Sequence, residues 1–267
     1  MKIKEYERIR MLKNKPDKVQ RKKKDLLHYD ELTMSQAKKA AESDKVVILP
    51  IGSVEEHGRH LPLCTDSIQP EYVAVAVARR TGCLVAPSLR YGVCNSTRNF
   101  PGTISIGFQA LYKITKDILE EFLRNGFRRV LVLSGHAGQS HMAALRLAAQ
   151  EIIWSHENEK AETRPRIMVC SDYDFAYELK GKHFSEKDGH AGAIETSRVM
   201  AIRPDLVKMK GESSYPQLPR FEVVAHPEES FPNGVIGDPT VASRKKGEMT
   251  NDYVIESVVK LVNDLMR

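Results

Sequence analysis

Four short segments of the chain are almost continuously apolar: residues 45–50, 83–87, 129–134 and 166–171. A half-exposed strand alternates apolar and polar residues, whereas these segments do not alternate. Continuous apolar runs of this length are typical of strands that are covered on both faces, as in a parallel sheet between two layers of helices. The pattern therefore predicts four strands of a buried, mainly parallel sheet.

Five other segments are predicted to be helices: residues 34–41, 72–80, 111–123, 142–154 and 241–266. In residues 111–123 and 142–154, apolar side chains recur at spacings of three and four. Thr33 and Ser35 are possible N-caps of the first helix, and Gly82 suits the end of the second. The alternation of strands and helices predicts an α/β protein in three layers.

Residues 211–239 contain five prolines and no sustained periodicity. Proline removes a backbone donor and interrupts both helices and central strands. We therefore expect a long excursion over the surface, of the kind that forms the rim of an active site or a contact between subunits.

The composition is that of an ordinary globular protein, with 41% hydrophobic and 28% charged residues. No apolar run approaches the roughly 20 residues that span a bilayer, and the lysine-rich N-terminus lacks the apolar core of a secretory signal. The four cysteines form no CxxC pair, which favours a reducing compartment. We expect a cytoplasmic protein that does not contact membranes.

Positive charge is concentrated in residues 1–24, which carry eleven Lys or Arg against three acidic residues. Such an arm can bind phosphate backbones, so a nucleic-acid binder is one interpretation. A solvated tail or an arm that contacts another subunit is favoured, because charge runs are commonly just solvated. The domain prediction is a basic arm over residues 1–24 and a single domain over residues 25–267.

Metal-compatible side chains follow the predicted strands. The first strand runs into a segment that contains Glu55, His57 and Asp66, and the third ends just before His136. Carboxyl ends of parallel strands meet at one edge of a sheet, where ligands bind. Carboxylate and imidazole donors without sulfur suit Zn²⁺, Mn²⁺ or Fe²⁺, and a carboxylate such as Asp66 can bridge two ions.

His190 and Glu195 belong to a further block that opens another predicted helix. A loop histidine facing a metal site is a candidate proton shuttle, and Glu195 is a candidate metal ligand or water-orienting group. Taken singly, each of these residues is more commonly a solvated carboxylate or a hydrogen-bonded loop histidine. Their convergence at one predicted edge favours a metal site.

The segment PIGSVEEHGRHLPLCTD, residues 50–66, resembles the creatininase-family signature, which usually reads PxGSxEQHGPHLPLxTD. The resemblance continues through FPGTIS (100–105), SGHAG (134–138), HAGxxETS (190–197) and GDPTVASRKKG (237–247). It covers the chain from about residue 32 to the C-terminus.

This resemblance implies a three-layer α/β/α sandwich, two divalent metal ions, and hydrolysis of a non-peptide C–N bond in a small amide, formamide or cyclic amide by metal-activated water. It also implies a homo-oligomer, with a hexamer favoured. By position, one metal would be held by Glu55, Asp66 and His136, and the other by His57 with Asp66. His190 matches the catalytic histidine, and Ala137 is predicted to contact the substrate with it.

At two positions this chain departs from the family pattern, so the residue roles known for the family do not all apply to it. Creatininase has a glutamate ligand of the second metal where this chain has Gly138, so Glu195 is the predicted replacement. Creatininase also has a tryptophan that stacks on creatinine where this chain has Glu186, so creatinine is not the expected substrate. The alternatives are a creatininase-like peptidase or formylaminopyrimidine deformylase and, less favoured, a nucleic-acid-associated binding protein with a decayed site.

Overall fold

The computed structural model describes residues 27–208, 211–217 and 219–267. The basic arm of residues 1–24, with the prediction attached to it, lies outside the described residues. Among those described, no helix combines the length and the apolar character needed to cross a bilayer.

A four-stranded parallel sheet forms the centre of the fold, in the order β2-β1-β3-β4. Its strands are β1 (Val47–Ile51), β2 (Leu84–Val85), β3 (Arg129–Ser134) and β4 (Arg166–Ser171). The four predicted strands are confirmed, and β3 and β4 have the predicted bounds. β2 is shorter than predicted, with only two residues in the ladder. Because all strands run in one direction, their carboxyl ends lie at the same edge.

The sheet is accompanied by seven α-helices within the described residues: α1 (Met34–Glu42), α2 (Thr65–Thr81), α3 (Phe108–Arg124), α4 (Gln139–Ser155), α5 (Tyr173–Ala176), α6 (Ala193–Ile202) and α7 (Arg244–Leu265). Short 3₁₀ turns occur at Tyr29–Glu31, Tyr177–Leu179, Pro204–Leu206, Pro227–Ser230 and Pro239–Val241. The five helices predicted from periodicity and capping correspond to α1, α2, α3, α4 and α7, and the further helix predicted at Glu195 corresponds to α6.

The core has two halves, one on each face of the sheet. Ile48 and Leu131 point to the face covered by α2, α6 and α7. Val47 and Val130, their neighbours along the strands, point to the face covered by α1, α3 and α4. All four side chains are buried, as expected when helices cover both faces. The three-layer α/β/α architecture is therefore confirmed, although most of β4 is only half-buried because it lies at the sheet edge.

Two helix ends lie where the sequence predicts them, and one does not. Thr33 and Gln36 form a capping box at the start of α1, and Gly82 ends α2 in the left-handed conformation with φ 74°. α2 begins at Thr65, well before the predicted residue 72. Its first turns carry polar residues that are buried at the edge of the sheet, so apolar periodicity does not reveal them. Asp66 consequently lies in the first turn of a helix, not in a loop.

Candidate metal centre and active-site cleft

The connections that follow β1 and β3 close tightly against the start of α2. Gly135, directly after β3, lies so near that an added Cβ would be 2.1 Å from the carbonyl oxygen of Asp66. Only glycine allows this approach, and it places His136 beside Asp66. The segment after β1 carries Glu55 and His57 to the same point. The predicted convergence of these four residues at the carboxyl edge of the sheet is present.

Asp66 divides the cluster into two halves. In the first half, His136 Nδ1 lies 2.9 Å from both Glu55 Oε2 and Asp66 Oδ2. In the second half, His57 Nε2 lies 3.1 Å from Asp66 Oδ1 and 3.4 Å from Glu195 Oε2. Each half thus contains one imidazole nitrogen and two carboxylate oxygens, and Asp66 contributes one oxygen to each.

Backbone carbonyls orient the two imidazoles. His57 Nδ1 lies 3.1 Å from the carbonyl oxygen of Glu55, and His136 Nε2 lies 3.0 Å from that of Val93. A carbonyl oxygen accepts only from an N–H, so these nitrogens carry hydrogen in the neutral rings. The other nitrogen of each ring then offers its lone pair to the cluster. This is the arrangement by which metal-binding histidines are held.

Hydroxyl and amide donors hold the carboxylates. Ser53 Oγ donates to Asp66 Oδ2 at 2.7 Å, Thr97 Oγ1 donates to Glu55 Oε1, and the Ala191 amide donates to Glu195 Oε2 at 2.6 Å. No role for these three residues was predicted from the sequence. Ser53 lies within the signature segment, which was an available signal, whereas nothing local distinguishes Thr97.

The cluster concentrates negative charge in a buried place. Glu55 and Asp66 are 1% exposed and Glu195 is 4% exposed. Burial raises the pKa of Glu195 by more than the charges of His57 and His190 and the hydrogen bond from the Ala191 amide lower it. Burial also opposes ionisation of Glu55 and Asp66, but His136 lowers the pKa of Glu55, and His57 with His136 hold the pKa of Asp66 well below its usual value.

The two histidines show the converse effect. Burial opposes their protonation, yet the carboxylates beside them raise the pKa of both His57 and His136 well above the ordinary value. Three carboxylates in so small a volume therefore require nearby positive charge. A divalent cation supplies it without protonating the histidines.

The donor spacing fits metal ions. Ligand atoms about 2.0–2.2 Å from one ion are roughly 2.8–3.6 Å apart when the angle at the ion is near 90–110°, and the N···O distances here are 2.9–3.4 Å. Donor atoms of Glu55, Cys94 and His136 also lie within 4.8 Å of one another. The position of Cys94 near the cluster was not predicted from the sequence. Burial raises the pKa of its thiol to about 12.

The family model for creatininase, described as creatinine amidohydrolase, matches residues 30–262. This chain belongs to the creatininase family. Creatinine amidohydrolase of Pseudomonas putida is 29% identical over 243 residues, which cover 85% of this chain and 92% of that protein. The mycofactocin precursor peptide peptidase of Mycolicibacterium smegmatis is 33% identical over 220 residues, which cover 76% and 78%.

Solved creatininase structures share the fold. The crystal structure of creatinine amidohydrolase superimposes with a TM-score of 0.78 at 27% identity, over 89% of this chain and 97% of that one. Related structures are a manganese form of creatininase and a variant of the Zn–Zn type. As a member of this family, the chain is a metal-dependent hydrolase that acts on C–N bonds.

Gly138 stands where the family pattern predicts a glutamate ligand. A Cβ added there would lie 2.6 Å from His136 Nε2, and that nitrogen is engaged with the Val93 carbonyl. A side chain at position 138 therefore requires His136 to move. Glu195 approaches His57 from the first turn of α6. Glu186, at the position of the stacking tryptophan, is exposed and does not line the cleft.

His190 packs beside the second half of the cluster, with its ring centroid 4.3 Å from that of His57. Its Nε2 lies 2.9 Å from the carbonyl oxygen of Glu56 and 3.1 Å from Glu56 Oε1. Glu56 stands where the family signature usually has Gln. Burial and the charge of His57 oppose protonation of His190, but the hydrogen bond with Glu56 and the nearby carboxylates raise its pKa.

A cleft of about 200 Å³ opens over the cluster. Glu55, Asp66, His136 and Glu195 contribute to its floor. The remaining lining residues are Ser96, Ala137, Gly138, Tyr173, Tyr177, His190, Phe231 and Ile236. Phe231 and Ile236 come from the proline-rich excursion, which was predicted to border an active site. Ala137, predicted to contact substrate, lines the cleft beside His136.

Two other histidines support this edge without joining the cluster. His141 lies 3.1 Å from Ser134 Oγ and packs edge-on against His136, and burial holds its pKa well below the ordinary value. His60 Nε2 contacts Thr196 Oγ1 at 2.9 Å, and burial lowers its pKa to about 4. Both are therefore neutral at pH 7 and suited to orienting neighbours.

Proposed function

We propose that this chain hydrolyses a small, uncharged amide, formamide or cyclic amide at a centre that holds two divalent metal ions. Glu55, Asp66 and His136 would hold one ion, and His57, Asp66 and Glu195 the other. One observation carries this proposal: Asp66 faces both halves of the cluster. Its two carboxylate oxygens lie 2.9 Å from the imidazole of one half and 3.1 Å from the imidazole of the other. Zn²⁺, Mn²⁺ and Fe²⁺ all suit these donors.

The ions, when bound, supply an acidified water as the nucleophile and polarise the substrate carbonyl. The protein supplies positioning. Ser53 and Thr97 hold the carboxylates through hydroxyl hydrogen bonds, and the carbonyls of Glu55 and Val93 fix the imidazole rings. These contacts set the donor geometry before any ligand arrives, so little reorganisation accompanies the reaction.

His190 is the proposed proton carrier. Its Nε2 faces two acceptor oxygens of Glu56, so this nitrogen carries hydrogen in the neutral ring. Nδ1 is then the nitrogen that accepts a proton from the attacking water and delivers it to the departing nitrogen of the substrate. The Glu56 carboxylate stabilises the imidazolium formed in between. A proton carrier without this partner would be less well oriented.

The cleft favours a small neutral substrate. Its volume of about 200 Å³ is below the roughly 300–1,000 Å³ of pockets that hold drug-sized ligands. Among the residues that the structure describes, no Lys or Arg lines it, so no cationic side chain is available there for a substrate carboxylate or phosphate. Tyr173, Tyr177 and Phe231 offer flat apolar surface instead.

A peptidase is the second candidate, because the relative from Mycolicibacterium smegmatis is a peptide peptidase. A panel of formamides, formylaminopyrimidines, cyclic amides and short peptides separates the two. We expect turnover of the small neutral amides, abolished by a chelator and restored by Zn²⁺ or Mn²⁺. Turnover confined to peptides would favour the second candidate, and turnover that survives complete removal of metal would refute both.

Crystals of the metal-loaded protein provide the structural test. Anomalous difference maps should show two ions roughly 3.5–4 Å apart, as in other hydrolytic two-metal sites. One should lie at Glu55 and His136, and the other at His57 and Glu195. A single ion, or an ion that Glu195 does not contact, would remove the binuclear assignment.

We also propose that residues 25–267 form one domain of a cytoplasmic homo-oligomer, with a hexamer favoured. Free thiols at Cys64, Cys83, Cys94 and Cys170 support a reducing compartment. Phe221 and Val223 in the excursion are 87% and 99% exposed, as is common for apolar residues that another subunit covers. Light scattering should give a mass near six times that of one chain, and a monomer would refute the assembly.

A further inference from the structure

The amino ends of β3 and β4 border a second cleft, of about 370 Å³, at the opposite end of the sheet from the metal cluster. Five arginines line it: Arg128, Arg129, Arg164, Arg166 and Arg267. We refer to it as the arginine cleft. β3 has six residues, and a strand rises about 3.3 Å per residue, so roughly 15–20 Å separate this cleft from His136. The hydrolytic site does not use it.

Strand register crowds these charges together. Arg129 and Arg166 are the first residues of β3 and β4 and are direct partners in the parallel ladder. Arg128 directly precedes β3, and Arg164 lies two residues before Arg166. Like charges on adjacent strand positions repel one another and cost stability unless something offsets them. The arrangement therefore gives the folded chain no stability of its own.

Carboxylates offset only part of this charge. Arg129 pairs closely with Asp44. Arg267 Nη1 lies 3.3 Å from Asp264 Oδ1 on an exposed surface, and Arg128 Nη1 lies 3.8 Å from Glu159 Oε2. The last two pairs are long and partly solvated, so they neutralise weakly.

Arg164 and Arg166 are held by neutral groups instead. Arg164 Nη2 donates to the carbonyl oxygens of Glu157 and Glu159 at 2.8 Å and 2.9 Å, and Arg166 Nη1 donates to the carbonyl oxygen of Leu265 at 3.1 Å. Carbonyls fix a guanidinium without cancelling its charge. Within the described part of the chain, no carboxylate lies within ion-pair distance of either residue, although Glu162 also lines the cleft.

We propose that the arginine cleft binds a small anion that carries two or more phosphate groups. The planar guanidinium offers paired N–H donors that match phosphate oxygens, and several such groups around one concavity match a polyphosphate better than a single carboxylate. The volume of about 370 Å³ lies within the range of ordinary small-molecule sites. This inference is independent of the proposed hydrolytic activity.

Calorimetric titration of the full-length, metal-loaded protein with inorganic pyrophosphate, at constant ionic strength, tests the proposal. We expect saturable binding of one pyrophosphate per chain in the arginine cleft, in addition to any pyrophosphate bound at the metal ions. R164Q/R166Q should bind at least about tenfold more weakly, since two charge-assisted contacts are lost. The charge-matched control R79Q/R244Q changes exposed arginines outside the cleft and should bind within about twofold of the original chain.

Pyrophosphate can also bind the metal ions, but the original chain, the cleft variants and the control variant all share this binding. If R164Q/R166Q does not fold, as judged by circular dichroism, R164K/R166K decides the question: it keeps the charge, removes the guanidinium, and should still weaken binding. Equal losses in the cleft and control variants, or undiminished binding by the cleft variants, would overturn the proposal. Binding of a single-stranded oligonucleotide without binding of pyrophosphate would overturn it too.

Discussion

Replacement of Glu195 by Gln tests the assignment of this residue most directly. Glu195 Oε2 lies 3.4 Å from His57 Nε2 and accepts the Ala191 amide at 2.6 Å. Gln keeps the length of the side chain and can still accept that amide through its oxygen. What it removes is one of the two carboxylate charges next to His57. The substitution therefore separates metal binding from local packing.

The expected effect can be bounded. Removal of residues that merely orient a metal ligand weakens metal affinity by about 10–100-fold, and Glu195 is proposed to touch the ion itself. We expect the second ion to bind at least ~100-fold more weakly, which corresponds to about 2.7 kcal/mol. The first ion, held by Glu55, Asp66 and His136, should remain bound.

The assay is metal counting by mass spectrometry after equilibration in buffered free metal. The original chain should carry two ions and E195Q one. The matched control is E186Q, which removes the same charge from an exposed glutamate outside the cleft and should carry two. Two ions in E195Q, bound with unchanged affinity, would refute the reasoning.

The metal-free protein gives a second readout of the same variant. Burial raises the pKa of Glu195, so the folded state favours its protonated form. Such a group contributes stability that is fully present below the unfolded pKa, near 4.5, and is lost as pH rises through the folded pKa. Metal-free E195Q should therefore lose less stability between pH 4.5 and pH 7 in urea titrations. An identical pH profile would show that Glu195 is not the destabilising charge.

Three further predictions concern other parts of the molecule. H190N should lower kcat by about 10²–10⁴-fold with metal content unchanged, and a loss of metal would instead make His190 a ligand. G138E should reduce binding of the ion at His136, because its Cβ would lie 2.6 Å from His136 Nε2; full metal content would contradict this. R198M should lower the free energy of unfolding by about 3–5 kcal/mol in urea, because it leaves the fully buried Asp172 without its 2.6 Å partner, whereas a loss below about 1 kcal/mol would show that Asp172 is accommodated in another way.

The strands were predictable because a strand that is buried on both faces has an almost continuously apolar sequence. After their first residues, Arg129 and Arg166, β3 and β4 contain only apolar or small residues, and the sequence alone predicted their bounds. The start of α2 was not predictable in this way. Asp66, Ser67 and Gln69 are polar yet buried, because the site requires them there, and Pro70 interrupts the usual helical pattern. A functional site overrides the rule that polar residues face water.

The proximity of Glu55, His57, Asp66 and His136 was predicted from the sequence, whereas the division of the cluster into two halves was not. Residue types and strand ends point to Glu55, His57, Asp66 and His136 at one edge. Which oxygen of Asp66 faces which imidazole depends on the close approach of Gly135 to α2. Thr97 and Cys94 lie near Glu55 only because a separate connection folds over it.

By itself, the sequence determined the layered α/β architecture, the family, and the chemical type of the proposed metal donors, since these depend on local periodicity and on motifs contiguous in the chain. The tertiary structure decided what lies next to what. His190 meets Glu56 across 134 residues, and Arg129 meets Arg166 through the register of two strands. Such contacts depend on how whole elements pack, and no local pattern of hydrophobic and polar positions encodes them.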